Sequence, residues 1–420
     1  MISKSGCKIW FLVLFSMTIL MPFSLEAADT VRIGMLLPFT GPLAQEGKQT
    51  WEGFSIAADI VNDKGGVWGK KIEFVKGDSV TPDSAITEME RLITAEKLDV
   101  IAGGYSSSQV YTSSDVSEKY KKVYWVSTAA GDNITARGFK YIFRYNSSTT
   151  TMGKIKVRFV HDVVPKVLGK KLEDLRVAII HEDSNWGSPL AQAEADEAPK
   201  LGIKVIEKIG YSNKSVDLSS LIMKLRADKP DVILMTGYVN DTHLFWRQCK
   251  DLDFNFPLLL ESGSTLGSPD WQKAFGKDAN GTACIALLPV DPGRLSATGA
   301  ALQKECLKRF SEKFNIRAGY LNMLGFEAGH ILFNEVLPLA GSLDPEKVRQ
   351  AALKINRSWK DSALGLGARY APPGHPTAGQ NLEATQFVFQ WQNEKLVAIY
   401  PENIATAKLQ PMPTWDERRK

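Results

Sequence analysis

Residues 99–132, DVIAGGYSSSQVYTSSDVSEKYKKVYWVSTAAGD, decide the fold. Val100–Ala102 is a short apolar run closed by Gly103-Gly104, and Val123–Val126 is a second one closed by Ser127-Thr128-Ala129-Ala130-Gly131. Between them, residues 109–121 have the length and polarity of a surface helix. Buried strand, small-residue loop, helix and buried strand at these lengths predict a right-handed βαβ unit in a parallel sheet.

The same alternation extends in both directions. Upstream lie an apolar run at Val31–Leu37, an amphipathic stretch over 44–62 stopped by Asp63-Lys64-Gly65-Gly66, a strand at Ile72–Val75 and a helix over 82–96. Downstream the series restarts: strands at Arg176–Ile180, Lys204–Ile209, Val232–Met235 and Leu258–Leu260 are separated by helices over 189–201, 218–227 and 242–250. Leu98-Asp99-Val100-Ile101 and Pro230-Asp231-Val232-Ile233 open equivalent strands in the two series, so two similarly wound lobes are expected. The stretch 140–146, KYIFRYN, reads as an extended crossover between them. The last third predicts a strand at 283–288, helices over 300–314, 324–337 and 345–355, and a closing hairpin of 387–391 and 396–399. Beyond Pro401 little periodicity remains, and the tail is expected to lie loose on the surface.

Length and composition agree with two lobes. The N-terminus carries Lys4 and Lys8, an uncharged run from Ile9 to Met21, and small residues at Ala27-Ala28, the order of a secretory signal peptide spanning 1–28. That run is shorter than the ~20 residues of a membrane span. No later stretch is long and apolar enough to span a bilayer, so the exported chain should be soluble. About 390 residues then remain, more than one core supports. A formal charge of +4, with no basic cluster beside aromatics, argues against nucleic acid. Cys249, Cys284 and Cys306 are an odd count after Cys7 and match no zinc spacing, so no metal or cofactor is expected. A Cys249–Cys284 disulfide stays open.

Enzyme motifs are missing. His161, His181, His243, His330 and His375 are scattered, no Walker loop or G-x-G-x-x-G follows the first strand, and Gly263-Ser264-Thr265-Leu266-Gly267 has its serine one place too early for a nucleophile elbow. His181-Glu182-Asp183 is the densest titratable run, with no nucleophile near it. The informative chemistry lies at the carboxyl ends of strands, where open parallel sheets bind ligands. One lobe offers Tyr105, Ser106, Ser107 and the small loop through Ala129 and Gly131. The other offers Trp186, Tyr238, Glu261 and Ser262. Hydroxyls and backbone donors at a helix start suit a carboxylate, and the rings suit an apolar body.

Taken together, IGMLLPFTGPLAQEG (33–47), VNDKGGVWGKKIEF (61–74), DVIAGGYSSS (99–108), WVSTAA (125–130), KYIFRYN (140–146), RVAIIHEDSNWG (176–187), DLSSLIMKLRADKPDVILMTGY (217–238) and GQNLEATQFVFQWQNEKLVAIYP (379–401) resemble the branched-chain amino-acid-type periplasmic binding proteins, solute receptors of ABC importers. The resemblance implies an α/β fold of two Rossmann-like lobes with parallel sheets joined by a three-crossing hinge, the type I arrangement. The lobes would comprise 29–143 with about 286–388, and about 144–285 with about 389–420. It also implies a periplasmic, non-enzymatic monomer that holds a small solute in the interlobe cleft and docks on ABC permease subunits. A sensory receptor on the same fold, or an exported enzyme, is the alternative.

The family's carboxylate site maps onto Ser106, with Ser107 and the Ala129–Gly131 backbone beside it. Its side-chain pocket maps onto Trp186, Tyr238, Glu46 and Tyr105. In amino-acid-binding members a threonine hydroxyl and an acid hold the α-ammonium. Here Gly131 stands at the threonine position and Ser262 at the acid position, with Glu261 one residue before it. In a strand that one-residue step turns a side chain to the opposite face. Either the register is off by one or the ammonium site is altered, which leaves α-amino acids, amides, urea and aliphatic or aromatic carboxylates open as ligands.

Overall fold

The computed structural model describes residues 1–2, 30–263 and 265–419. The expected signal peptide falls almost wholly on residues 3–29, outside the described residues, as does Ser264.

Strands β1 (Val31–Leu37), β2 (Ile72–Asp78), β3 (Val100–Gly103), β4 (Val123–Val126) and β5 (Ile142–Arg144) form a five-stranded sheet in the order β2-β1-β3-β4-β5. Every pairing in it is parallel. Helices α1 (Ala44–Asp63), α2 (Pro82–Thr94) and α3 (Ser107–Lys119) make the crossovers. The chain then enters a second lobe through α4 (Thr149–Leu168). There β6 (Val177–Glu182), α5 (Gly187–Glu197), β7 (Val205–Tyr211), α6 (Ser219–Asp228), β8 (Val232–Thr236), α7 (Val239–Asp251), β9 (Leu258–Glu261), α8 (Pro269–Phe275) and β10 (Ala283–Ala286) follow. It returns to the first lobe as α9 (Ala297–Phe314) and α10 (Tyr320–Ile331), and makes a short ribbon of β11 (Asn356–Arg357) and β12 (Ala368–Arg369). It crosses back as β13 (Phe387–Gln392) and β14 (Lys395–Tyr400), completing a seven-stranded sheet in the order β14-β13-β10-β9-β8-β6-β7. The α/β fold of two mainly parallel lobes is as read from the sequence.

The crossings are tied by polar side chains. Arg144, with no exposed surface, donates from Nε to Gln380 Oε1 (2.5 Å) and from Nη1 to the Gly131 carbonyl (2.5 Å). Burial without a carboxylate in contact pulls its guanidinium down to about 10. Gln386 Nε2 donates to Asn146 Oδ1 (3.0 Å) and Tyr320 Oη (3.0 Å), joining the first and last crossings to α10.

Helices α1 and α10 cross backbone to backbone. A Cβ on Gly53 would stand 2.1 Å from the Asn322 carbonyl, and one on Gly325 would stand 2.3 Å from that of Thr50. Neither obstacle is a movable side chain, so the helices themselves must separate. Gly53→Ala should therefore cost about 1–3 kcal/mol, the range for overpacking. Its higher helix propensity would offset at most ~1 kcal/mol. A denaturant midpoint at or above wild type would contradict this close packing.

The structure corrects one expectation and fills two points that the sequence leaves open. Helix α4 was not anticipated: Lys154, Lys156 and Arg158 alternate with Ile155, Val157 and Phe159 and hide the helical period. Its ends carry ordinary signals, the Ser148 hydroxyl accepting from the Thr151 amide (3.2 Å) and Gly169 closing it at φ 62°. The C-terminal tail is not loose. Leu409, Met412 and Trp415 are buried, the Trp415 ring lies 4.8 Å from that of Trp246, and its Nε1 donates to the Phe254 carbonyl (2.9 Å). Finally, Cys249, Cys284 and Cys306 are buried free thiols, so the disulfide left open is not formed.

Candidate functional site

The carboxyl ends of both sheets face one cleft. On the first lobe, Gly103 (φ 115°) and Gly104 (φ 75°) turn the chain out of β3 through conformations that a side chain would strain. Tyr105 follows, with Ser106 and Ser107 at the start of α3. The loop after β4 is stitched to this turn: Gly104 O accepts the Ala129 amide (3.1 Å), and Ser107 Oγ accepts the Gly131 amide (3.0 Å). On the second lobe, the buried Glu182 carboxylate accepts from the Ser184 amide (2.7 Å) and the Gly187 amide (2.6 Å), which fixes the loop that carries Trp186. That consumes one of the two carboxylates of the densest titratable run in the sequence, His181-Glu182-Asp183. Its neighbour His181 is pulled below its ordinary value by burial.

A small cavity lies in the cleft between the lobes. Tyr105, Ser107, Thr128 and Ala130 line it from the first lobe, Met152, Trp186, Tyr238 and Ser262 from the second, and Asn146, Tyr320 and Leu321 close it at the hinge. The aromatic rings bridge the lobes: Trp186 and Tyr238 are 5.1 Å apart, and Tyr238 is 6.2 Å from Tyr105.

Of the residues read from the sequence, Tyr105, Ser107, Trp186, Tyr238 and Ser262 meet at this cavity. Ser106 lies behind it with its hydroxyl toward Tyr238. Ala129 is covered, and its amide is taken by Gly104, while its neighbours Thr128 and Ala130 line the space. Gly131 sits where the lobes touch: a Cβ there would be 3.0 Å from the Asn185 carbonyl, so a threonine would crowd the closed form. Glu261 is turned away. Its Oε2 accepts the Gly263 (2.8 Å) and Leu266 (3.2 Å) amides, and burial pushes the carboxyl up to about 7. Ser262 lines the cavity, while Glu261 braces its own loop. Asn146, Tyr320 and Leu321 at the hinge and Met152 in α4 are not singled out by the sequence, because nothing local marks a residue there as reaching the cleft.

Behind Ser262 stands a buried cation. Lys156 of α4 has no exposed surface, and its Nζ reaches Glu194 Oε1 (2.5 Å), the Met235 carbonyl (3.0 Å) and Ser262 Oγ (3.2 Å). Burial pushes Glu194 above the usual carboxylate range, and Lys156 pulls it back.

Glu46 lies beside the cleft, 1% exposed, with its Oε1 unpaired and the Val239 amide of the other lobe facing its carboxylate. Burial raises it from 4.5 to about 7. A carboxyl with a raised folded value binds its proton more tightly when folded, so its contribution is complete below about 4.5 and is lost as pH rises to about 7. Glu46→Gln should match wild type near pH 4 and exceed it by up to about 3 kcal/mol at pH 8. The variant-minus-wild-type difference is the readout, since His243 and His330, held down to about 4 and about 3 by burial, tilt the whole curve the other way. An unchanged difference between the two pH values would remove Glu46 from this role.

Comparison with known proteins places the chain. The sequence profile of the periplasmic binding protein family matches residues 30–394. The Leu/Ile/Val-binding protein homolog 8 of Brucella abortus is 32% identical over 395 residues, covering 92% of this chain and 94% of the relative. Among solved structures, a leucine-binding protein LivK of Thermotoga maritima superposes with a TM-score of 0.75 at 22% identity, over 88% of this chain and 98% of its own. A Rhodopseudomonas palustris solute-binding protein of an ABC transporter, in complex with benzoate, superposes at 0.74 and 17% identity, over 90% and 100%. With two parallel-sheet lobes and a cleft between their carboxyl edges, the chain belongs to the periplasmic binding protein family.

Proposed function

We propose that this protein is an extracytoplasmic capture protein of an ABC importer, working in the periplasm after removal of residues 1–28. It binds a small solute with a carboxylate or amide head and an apolar body, and presents it to the permease. The observation that carries this reading is the cleft itself, lined from one lobe by Ser107 and the Thr128–Ala130 loop and from the other by Trp186 and Tyr238. A ligand between them touches both lobes, so its binding energy favours the closed form. In this reading the lobes divide near 143/144, 285/286 and 388/389, and Ser106, Ser107, Tyr105, Ala129 and Gly131 serve the polar head. Glu46 borders the apolar end.

The test is a thermal-shift screen of refolded, ligand-stripped protein against branched-chain and aromatic amino acids, short amides, urea, and aliphatic and aromatic carboxylates. A ligand at a hundred times its Kd adds ~2.7 kcal/mol, a readable shift. A stabilising compound that emerges chemically unchanged supports capture. Turnover of the compound would replace capture by an enzymatic reading.

A further inference from the structure

We propose that Lys156 is the positioning residue that makes Ser262 a hydrogen-bond donor and keeps cationic groups from that wall of the cleft, so that the captured solute offers an oxygen acceptor there and carries no α-ammonium. This inference rests on the capture reading above and names the class of solute.

The hydroxyl of Ser262 is surrounded. It lies 3.2 Å from Lys156 Nζ, 2.9 Å from Thr236 Oγ1 and 3.1 Å from the Met235 carbonyl. A hydroxyl has one proton and two lone pairs. Lys156 can only donate, so one lone pair is committed to a charge-assisted bond. Thr236 can fill the other. The proton is the one element of Ser262 that can be redirected: Met235 O already accepts from Lys156 (3.0 Å), so releasing the Ser262 proton leaves it partnered. Toward the cleft, Ser262 can give a hydrogen bond and cannot easily take one.

On the opposite wall each loop carbonyl already holds one donor. The Thr128 carbonyl accepts from Asn146 Nδ2 (2.7 Å), the Ala130 carbonyl from the Thr149 amide (2.9 Å) and the Gly131 carbonyl from Arg144 Nη1 (2.5 Å). Ser107 Oγ already accepts from Gly131, which leaves its proton for the ligand. Among the described residues no carboxylate lines the cavity; Glu46 and Asp241 carry unpaired buried oxygens, but both lie outside the lining. The cleft is rich in donors, and an ammonium, which has three protons and no lone pair, would bring donors to donors. The Lys156–Glu194 pair is fully buried, and such a pair is weak evidence of a stabilising role.

The experiment uses isosteric probes: leucine, 4-methyl-2-oxopentanoate and 4-methylpentanoate, and phenylalanine, phenylpyruvate and 3-phenylpropanoate. Titration calorimetry on ligand-stripped wild type should give the oxo or deaminated acid a preference of roughly 10-fold or more over its amino acid, the scale of one charged hydrogen bond. Lys156→Met/Glu194→Leu removes both buried charges and keeps the volume apolar, so it should melt cooperatively while the preference falls to within about 3-fold. Ser262→Ala should weaken the oxo acids about 10-fold by deleting the donor. Tighter binding of the amino acids by wild type overturns the inference. So does a preference that survives in the double variant. Neither result touches the capture reading, which falls instead if none of the probes, nor any compound of the wider screen, binds the cleft.

Discussion

Trp186→Ala is expected to weaken capture of any cleft ligand by about 100-fold or more while leaving the ligand-free protein folded. The ring is 7% exposed and sits at the start of α5, where Ser184 Oγ accepts its backbone amide (3.1 Å) and the Glu182 carboxylate holds the loop. It packs on Tyr238, which in turn faces Tyr105 across the lobe boundary. Truncating a buried tryptophan costs about 3–5 kcal/mol, and large aromatic anchors dominate binding sites. Most of that cost belongs to the closed, occupied form. When the lobes part, one side of the ring loses its cover and the open state is spared. The loss therefore appears in Kd rather than in the unfolding midpoint, and chiefly as faster release. Trp186→Phe should keep affinity within about 10-fold, because a flat ring still meets Tyr238. Calorimetric titration with whichever compound the thermal screen selects reads both variants. An unaltered Kd in Trp186→Ala would remove the aromatic platform from the proposal.

Much of this architecture was legible because parallel sheets write themselves plainly. Buried strands such as Val123–Val126 are short apolar runs, the loops after them are small and polar, and the topology rule places those loops on one edge. That logic brings Tyr105, Ser107, Trp186, Tyr238 and Ser262 together from the sequence alone. It failed where a side chain contradicts its own element. Lys156 puts a charge on the buried face of α4, so a helix with sound caps leaves no clear helical period in the sequence, and a candidate specificity residue goes unread with it. It failed again in the tail, where Leu409, Met412 and Trp415 recur every three residues in a stretch otherwise rich in proline and charge. Glu261 shows a third limit. Sequence offered it and Ser262 as neighbours at the end of β9, and only the pleat assigns one to the cleft and the other to the Gly263 and Leu266 amides.

Lys156→Met alone should be the most destabilising single change at this site, about 3–5 kcal/mol at pH 8. The methionine fills nearly the same volume, so the penalty is electrostatic: Glu194, with no exposed surface, loses its ion-pair partner. An unpaired buried carboxylate escapes by taking a proton. Its folded pKa, already raised by burial in the wild type, rises further without Lys156. A raised folded value means that stability is retained at low pH and lost as pH climbs through it. The variant's deficit should accordingly shrink toward pH 5 and grow toward pH 8. Adding Glu194→Leu removes the stranded carboxylate and should recover most of the loss, since replacing a buried pair by apolar residues is commonly neutral or better. Urea unfolding of the wild type, the single and the double variant at both pH values gives the comparison. A single variant as stable as wild type at pH 8 would mean that water or a local shift already shields Glu194. The cation under Ser262 would then not be the fixed charge on which the specificity argument depends.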